Sequence, residues 1–280
     1  MPAPDHQQRL AALRDTIADI ERKPALAETP DRSLETSDGS FPRLSGGLLQ
    51  EVFTDALRNG GASLGFALGQ AKTLLSPKRM AVIYLQLEKD GQTFGLPYGP
   101  GLKSFGFDPE QLIIVRVNDM RDLLWVAEES IACSAMAAIV ADIGADPEPL
   151  DFTASRRLGL RTAESGTSLF LLRYGTARQA SAAHLRWRLS PHRSGRRPFD
   201  ERAPGAARWR LELEKGIGAR RNLDWVLEWT ENGFKALPNW KDGISRPVAR
   251  PPVPRPHPAF LANRIPQAPR SRSQATAGAL

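Results

Sequence analysis

The 280-residue chain predicts an α/β protein: a mainly parallel sheet flanked by helices, an antiparallel extension on the C-terminal side, and an amphipathic helix tethered at the N-terminus. Three observations carry that prediction. Short apolar runs alternate with helix-periodic segments from Leu44 to Arg173, and strands apolar on both faces that are separated by helices build parallel sheets covered on both sides. After Arg173 large apolar residues alternate with charged ones, as in Leu185-Arg186-Trp187-Arg188-Leu189 and Trp209-Arg210-Leu211-Glu212-Leu213, the pattern of antiparallel strands with one wet face. Near the start, Leu10, Leu13, Ile17 and Ile20 recur at spacings of three and four, which lines them along one stripe of a helix.

Taken in order, residues 1–23 hold that helix, and residues 24–42 are a polar, proline-bearing tether that leaves its stripe to find a partner on this chain's own core or on another chain. Residues 43–240 form the core with its basic extension. Strands are expected at Leu49–Phe53, Ala81–Leu87, Leu112–Val117, Ala137–Ile143 and Ser168–Arg173, and helices at Ala62–Leu75, Asp119–Ser134 and, behind an Asp151 cap, Phe152–Glu164. The stretch from Leu87 to Gly106 is rich in Gly and Pro. Ala183–Leu189, Arg208–Glu214 and Trp225–Trp229 supply the antiparallel strands. Residues 241–280, dense in Pro and Arg and nearly free of aromatics, cannot bury enough apolar surface to fold and are expected to be disordered.

The net charge of +7 is unevenly spread. Arg173 to Arg221 carries 13 Lys and Arg against 4 Asp and Glu, and Lys241 to the end 7 against 1, so the rest of the chain is acidic. A basic C-terminal third suits an anionic partner, nucleic acid or an acidic protein surface, through counterion release and long-range attraction. Arg186, Trp187, Arg188, Arg193, Arg196, Arg197, Arg208 and Arg210 are the candidate contacts with DNA or another anion. For the indoles of Trp187 and Trp209, packing against the helices with the arginines on the solvated face is preferred over contact with nucleic acid. Cys133, the single cysteine, reads as a small buried core residue of a protein in a reducing compartment. No apolar run approaches the ~20 residues that span a bilayer, and the first residues do not form a signal peptide, so a cytoplasmic protein without a membrane partner is expected. No Cys pair, HxxxH spacing or dense acidic run offers a metal site, and no metal or other cofactor is expected.

One short stretch raises the question of catalysis. Gly61-Ala62-Ser63-Leu64-Gly65 matches a nucleophile elbow, but the downstream histidines, His184, His192 and His257, fall in the basic strand, the Arg-rich loop and the tail, and no oxyanion loop precedes the turn. A strand running through small residues into a helix start, with Gly60, Gly61, Ala62 and Ser63 at the turn, also has the form of a phosphate loop. The lysine that would reach the phosphates is replaced by Ala62, so tight ATP binding is not expected. Asp142, ending the apolar run AAIVADI, stands where a second acidic part of such a site belongs, and equally where an Asp caps a turn.

The segment order resembles the core of the RecA recombinase and, more closely, the ImuA family of RecA-like accessory proteins of bacterial damage-induced mutagenesis. The resemblance covers about residues 7 to 230. It rests on RLAALRDTIADIE, GGLLQEVF, GFDPEQLIIVRV followed by DLLWVAEESIACSAMAAIVADI, LDFTASRRLGLRTAESGTSLFLLR, and the RWR and WRLELEK segments. It implies a RecA-like fold in which Glu88 and Asp142 occupy the acidic positions of the ancestral ATP site and Gly60 to Ser63 its degenerate loop, with no catalytic residue. It further implies that Leu10, Leu13, Ile17 and Ile20 dock on a RecA-type recombinase or on a copy of this chain. The other implied partners are an ImuB-type Y-family polymerase homologue, an error-prone replicative-type polymerase subunit and single-stranded DNA. Two other functions fit the same resemblance: a DNA-stimulated ATPase in which Lys72 or Lys78 replaces the missing lysine, and an SOS-induced inhibitor of cell division with a degenerate RecA-like fold.

Overall fold

The computed structural model describes residues 41–144, 150–197, 199–216 and 223–237. The predicted helix with Leu10, Leu13, Ile17 and Ile20, the tether as far as Ser40, and the tail 241–280 lie outside the described residues. In chain order the elements are β1 (Leu49–Thr54), α1 (Gly60–Lys72), β2 (Ala81–Leu87), α2 (Glu88–Phe94), α3 (Gly99–Ser104), β3 (Leu112–Val117), α4 (Met120–Ala132), β4 (Met136–Asp142), α5 (Phe152–Ser165) and β5 (Ser168–Tyr174). Six further strands follow: β6 (Leu185–His192), β7 (Arg196–Arg197), β8 (Asp200–Pro204), β9 (Arg208–Lys215), β10 (Leu223–Thr230) and β11 (Gly233–Ala236).

Among the described residues nine strands form one sheet in the order β11-β10-β9-β6-β1-β5-β4-β2-β3, and β7 and β8 form a separate hairpin. From β3 across to β6 the neighbours run parallel, and from β6 through β9 and β10 to β11 they run antiparallel. This is the RecA-like α/β architecture with its antiparallel extension.

The apolar runs that predict these strands are buried because both sheet faces are covered. Along β1, Val52 points to one face and Leu49 to the other. Val52 joins Phe66, Val82, Val140, Phe170, Leu172 and Trp187 beneath α1, and Leu49 joins Leu85, Ile139, Leu169, Leu123, Ile131 and Leu158 beneath α4 and α5. The helix starts are capped as their sequence suggests. Asp119 accepts from the N–H groups of Arg121 and Asp122 at 2.8 and 2.9 Å, and Asp151 accepts from Ala154 N at 2.7 Å. Gly69 lets α1 approach the extension, because a Cβ there would run into the rings of Phe234 and Trp229.

Three expectations are corrected. Cys133 is exposed, since α4 ends at Ala132 and its buried stripe, which includes Leu124, Ala127 and Ile131, stops short of the cysteine. β3 is buried on neither face along most of its length, with Ile113 and Ile114 exposed, because it is the edge strand of the sheet. Phe41, placed in the tether by composition, sits 5.6–6.3 Å from the rings of Phe66, Trp187, Trp225 and Phe234.

The parallel and antiparallel parts meet at β6, and on its parallel neighbour β1 Glu51 is fully buried. Its Oε1 accepts from Arg173 at 2.9 Å, and its Oε2 accepts from Arg186 Nε at 2.9 Å and from the Ser181 hydroxyl at 2.7 Å. The guanidiniums of Arg173, Arg178 and Arg186 lie 4.0–5.5 Å from the centre of the Phe53 ring. Removing one partner of such a group leaves a buried charge uncompensated. Glu51→Ala is expected to cost about 3–5 kcal/mol and to lower the melting temperature by roughly 10 °C. A loss below about 1 kcal/mol in urea unfolding would show that Arg173 does not depend on Glu51.

Candidate functional site

The carboxyl ends of the parallel strands carry a row of polar side chains on the α1 side of the sheet. Register places Thr54 of β1 beside Tyr174 of β5, Asp142 of β4 beside Gln86 of β2, and Gln86 beside Arg116 of β3. Two tyrosines close on the one carboxylate: Asp142 Oδ2 accepts from the Tyr84 hydroxyl at 3.0 Å and from the Tyr174 hydroxyl at 3.2 Å. Tyr174 also stands against the start of α1, its oxygen 3.0 Å from where a Cβ on Gly60 would sit, and the Phe94 ring of α2 stacks on it at 6.1 Å. Asp90 of α2 reaches the same place and packs over Gly144, where a Cβ would have no room.

Electrostatically Asp142 is a buried carboxylate held by neutral donors. Burial pushes the Asp142 carboxyl up from the usual carboxylate range. The two tyrosine hydroxyls and the Gly144 N–H oppose that rise, and nearby Asp90 adds to it. Burial likewise raises Asp90, against the pull of Lys89. Both tyrosine hydroxyls are pushed up, by burial first and by Asp142 second, and stay protonated as donors. Thr54 Oγ1, Ser63 Oγ, Gln86 Oε1 and Asp90 Oδ2 are buried without a hydrogen-bond partner.

Gly60, Gly61, Ala62 and Ser63 form the first turn of α1. Ser63 is fully buried within the helix rather than presented at a tip, the Ala62 carbonyl accepts from the Trp209 indole N–H at 2.9 Å, and His184 accepts from Leu49 N at the opposite end of β1. The elbow match is therefore a coincidence of spacing. Glu88 is exposed at the start of α2, and the carboxylate acting on Asp142 is that of Asp90, two residues further on. Lys72 ends α1, about 18 Å of helix from Gly60, and lies over the Trp229 ring, while Lys78 precedes β2 at the amino-end side of the sheet. Neither stands where the missing loop lysine would.

The candidate anion contacts separate into two groups. Trp187 is corrected outright: it is fully buried, and its indole N–H donates to Gln50 Oε1 at 2.9 Å. Arg186 is held by Glu51, Arg188 by Asp55 at 2.8 Å, and Arg208 by Glu228 at 2.6 Å. Glu212, Glu214 and Asp224 lie on the same wet face of β9 and β10, so that face alternates in sign rather than forming a basic stripe. Arg193, Arg196, Arg197 and Arg210 are exposed, the first three on or beside the β7–β8 hairpin.

Tyr84, Gln86, Asp90 and Tyr174 escape sequence reasoning. Tyr84 and Gln86 alternate within a strand that reads as apolar on both faces, and the signal that could have found them is that pair of polar atoms two residues apart, followed by Glu88 and Asp90. The raised Asp142 carboxyl has a measurable consequence. The folded state binds this proton more tightly than the unfolded chain. Its destabilisation is therefore absent well below the ordinary carboxylate range, grows as pH rises towards the raised value and is complete above it. Asp142→Asn keeps an oxygen for the tyrosines. It is expected to equal or exceed the wild type in stability at neutral pH, with the difference shrinking as urea unfolding is repeated at falling pH. A variant that loses ground on the wild type as pH rises would show that the carboxylate charge is compensated.

Among the described residues no helix is long and apolar enough to cross a membrane. No family model matches the chain. The chain is 32% identical over 217 residues to Protein ImuA of Caulobacter vibrioides, in each of two strains, and the match covers 72% of this chain and 83% of the relative. With that identity over most of both chains, and with the RecA-like sheet in place, the chain belongs to the ImuA family.

Proposed function

We propose that this chain is a non-catalytic accessory protein of damage-induced, error-prone translesion DNA synthesis, acting in the cytoplasm. In this reading it bridges a RecA-type recombinase or single-stranded DNA to an ImuB-type polymerase homologue and an error-prone replicative-type polymerase subunit. Family membership supports the pathway. The observation that carries the non-catalytic part is the engagement of Asp142 by Tyr84 and Tyr174.

A nucleoside triphosphate with its metal is a poor fit to the residues at this end of the sheet. The acid that would hold the metal is held by two hydroxyls. The Tyr174 oxygen stands against Gly60, and the first turn of α1 carries no basic side chain. What arrives there meets the Asp142 and Asp90 carboxylates, and the first turn of α1 supplies no cation to offset them, which disfavours a polyanion. Recruitment needs no chemistry at this position. It needs surfaces that hold partners, and the stripe that the sequence predicts at Leu10, Leu13, Ile17 and Ile20 would be one such surface.

Placing two charges on that stripe should remove its apolar contact without touching the core. Leu13→Asp with Ile17→Asp is expected to abolish capture of the recombinase or of the ImuB-type protein in a pull-down, with unchanged thermal unfolding of the core. Capture retained by the double variant would take the helix out of the mechanism. In parallel, an ATP-hydrolysis assay with and without single-stranded DNA should show no turnover. Turnover that disappears in Glu88→Gln would overturn the non-catalytic reading.

A further inference from the structure

The β7–β8 hairpin presents an aromatic ring that nothing above explains. Phe199 is fully exposed, and its φ of 70° makes it the one non-glycine residue in the left-handed region among the described residues. Arg197 pairs with Asp200, so Phe199 lies at the tip that joins the two strands. A backbone position with that φ normally takes Gly or Asn, because a Cβ is disfavoured there. A bulky apolar residue in that conformation, aimed at solvent, breaks two local rules at once, and such outliers concentrate where a ligand is met.

The surroundings say what kind of ligand. Arg193, Arg196, Arg197 and Arg202 are exposed around the tip. Asp200 is the nearest acid in sequence with a described side chain, and its Oδ1 accepts from the backbone N–H groups of Arg202 and Ala203 at 3.0 and 3.2 Å, so it shapes the start of β8. The stalk is anchored. Gly195 N donates to the Ala206 carbonyl at 3.0 Å, Gly205 N donates to the Gly195 carbonyl at 3.1 Å, and Gly205 lies too close to Gly195 to admit a Cβ. A narrow, braced tip with a free ring and flanking guanidiniums matches a flexible polyanion that carries planar groups between its charges.

We infer that this hairpin is a single-strand nucleic-acid site: Phe199 stacks on an unpaired base while Arg193, Arg197 and Arg202 meet the flanking phosphates. The inference rests on the DNA-binding part of the function proposed above and deepens it. Every base offers a π face, so the site tolerates any sequence, whereas the bases of a duplex are already stacked and must be parted before a ring can enter.

The test uses the full chain, a labelled oligo-dT strand and a duplex of the same length, with binding followed by fluorescence anisotropy over a range of salt. Phe199→Ala is expected to weaken single-strand binding roughly tenfold. Duplex affinity, salt slope and melting should stay unchanged, because no charge and no buried contact is lost. Phe199→Trp should restore the affinity and add an emission that the oligonucleotide quenches. Arg193→Ala with Arg197→Ala should instead flatten the salt slope by about 1.4. Equal single-strand affinity of Phe199→Ala and wild type, or an equal loss on the duplex, would overturn the stacking while leaving the basic surface in place. Loss of a protein partner by Phe199→Ala with oligonucleotide binding intact would assign the tip to a protein and overturn it too. A wild type that shows no salt-dependent oligonucleotide binding would remove the DNA reading together with the inference.

Discussion

The buried carboxylate of Glu51 is the constraint on which the rest of the sheet depends. It sits on β1, next to β6, the strand where the parallel and antiparallel halves join, and its two oxygens are shared between Arg173 of β5 and Arg186 of β6. A carboxylate taken out of water is costly unless its oxygens are filled by charged donors in good geometry. Only one register of β5, β1 and β6 brings both guanidiniums to it. A slip of one residue would send Arg186 to the α1 side, where Trp187 is now fully buried. The ion group therefore selects the register, and the indole hydrogen-bonded to Gln50 on the opposite face of β1 enforces the same choice.

That arrangement also decides where positive charge is available. Arginines read from sequence as a basic stripe are divided by the pleat. Arg173 and Arg186 turn to Glu51, Arg178 to Glu214, Arg188 to Asp55 and Arg208 to Glu228. Each of these pairs stabilises the extension locally and removes one charge from the field that an approaching polyanion would feel. What remains exposed gathers near the hairpin inserted between β6 and β9. Net charge by segment is a sound guide to the sign of a partner and a poor guide to its contacts, because it counts a salt-bridged guanidinium the same as a solvated one.

The fold was legible because its signals are local. Period-two alternation placed β6, β9 and β10, uninterrupted apolar runs placed β2, β4 and β5, and Asp119 and Asp151 marked two helix starts through their own side chains. The readings that failed depend on neighbours distant in sequence. LIIVRV reads as a strand covered on both faces, yet among the described residues it is an edge strand, and Cys133 looks like the next residue of an apolar stripe whose helix has just ended. The candidate site was half legible for the same reason. Asp142 announces itself at the end of a strand, but Tyr84 lies 58 residues from it and Tyr174 lies 32 residues away, and only the sheet order brings the three together.

Glu51 and Asp142 are both buried carboxylates on the central strands, and their donors differ in a way that bears on function. Guanidiniums hold Glu51, so its charge is cancelled where it stands. Neutral hydroxyls and a backbone amide hold Asp142, which satisfies lone pairs without supplying positive charge, and with Asp90 beside it the carboxyl is pushed up. An ATP site of this fold needs the opposite balance, with cations converging where phosphates lie and a carboxylate free to hold a metal. Restoring a lysine at position 62 alone would not recreate that balance. Tyr84 and Tyr174 would still engage the carboxylate, Tyr174 would still stand against the first turn of α1, and the Ala62 carbonyl is already bonded to Trp209 of the extension. The loss of ATP chemistry proposed for this chain is thus distributed over the aromatic packing that joins α1 to β5 and β9, and is not confined to one missing side chain.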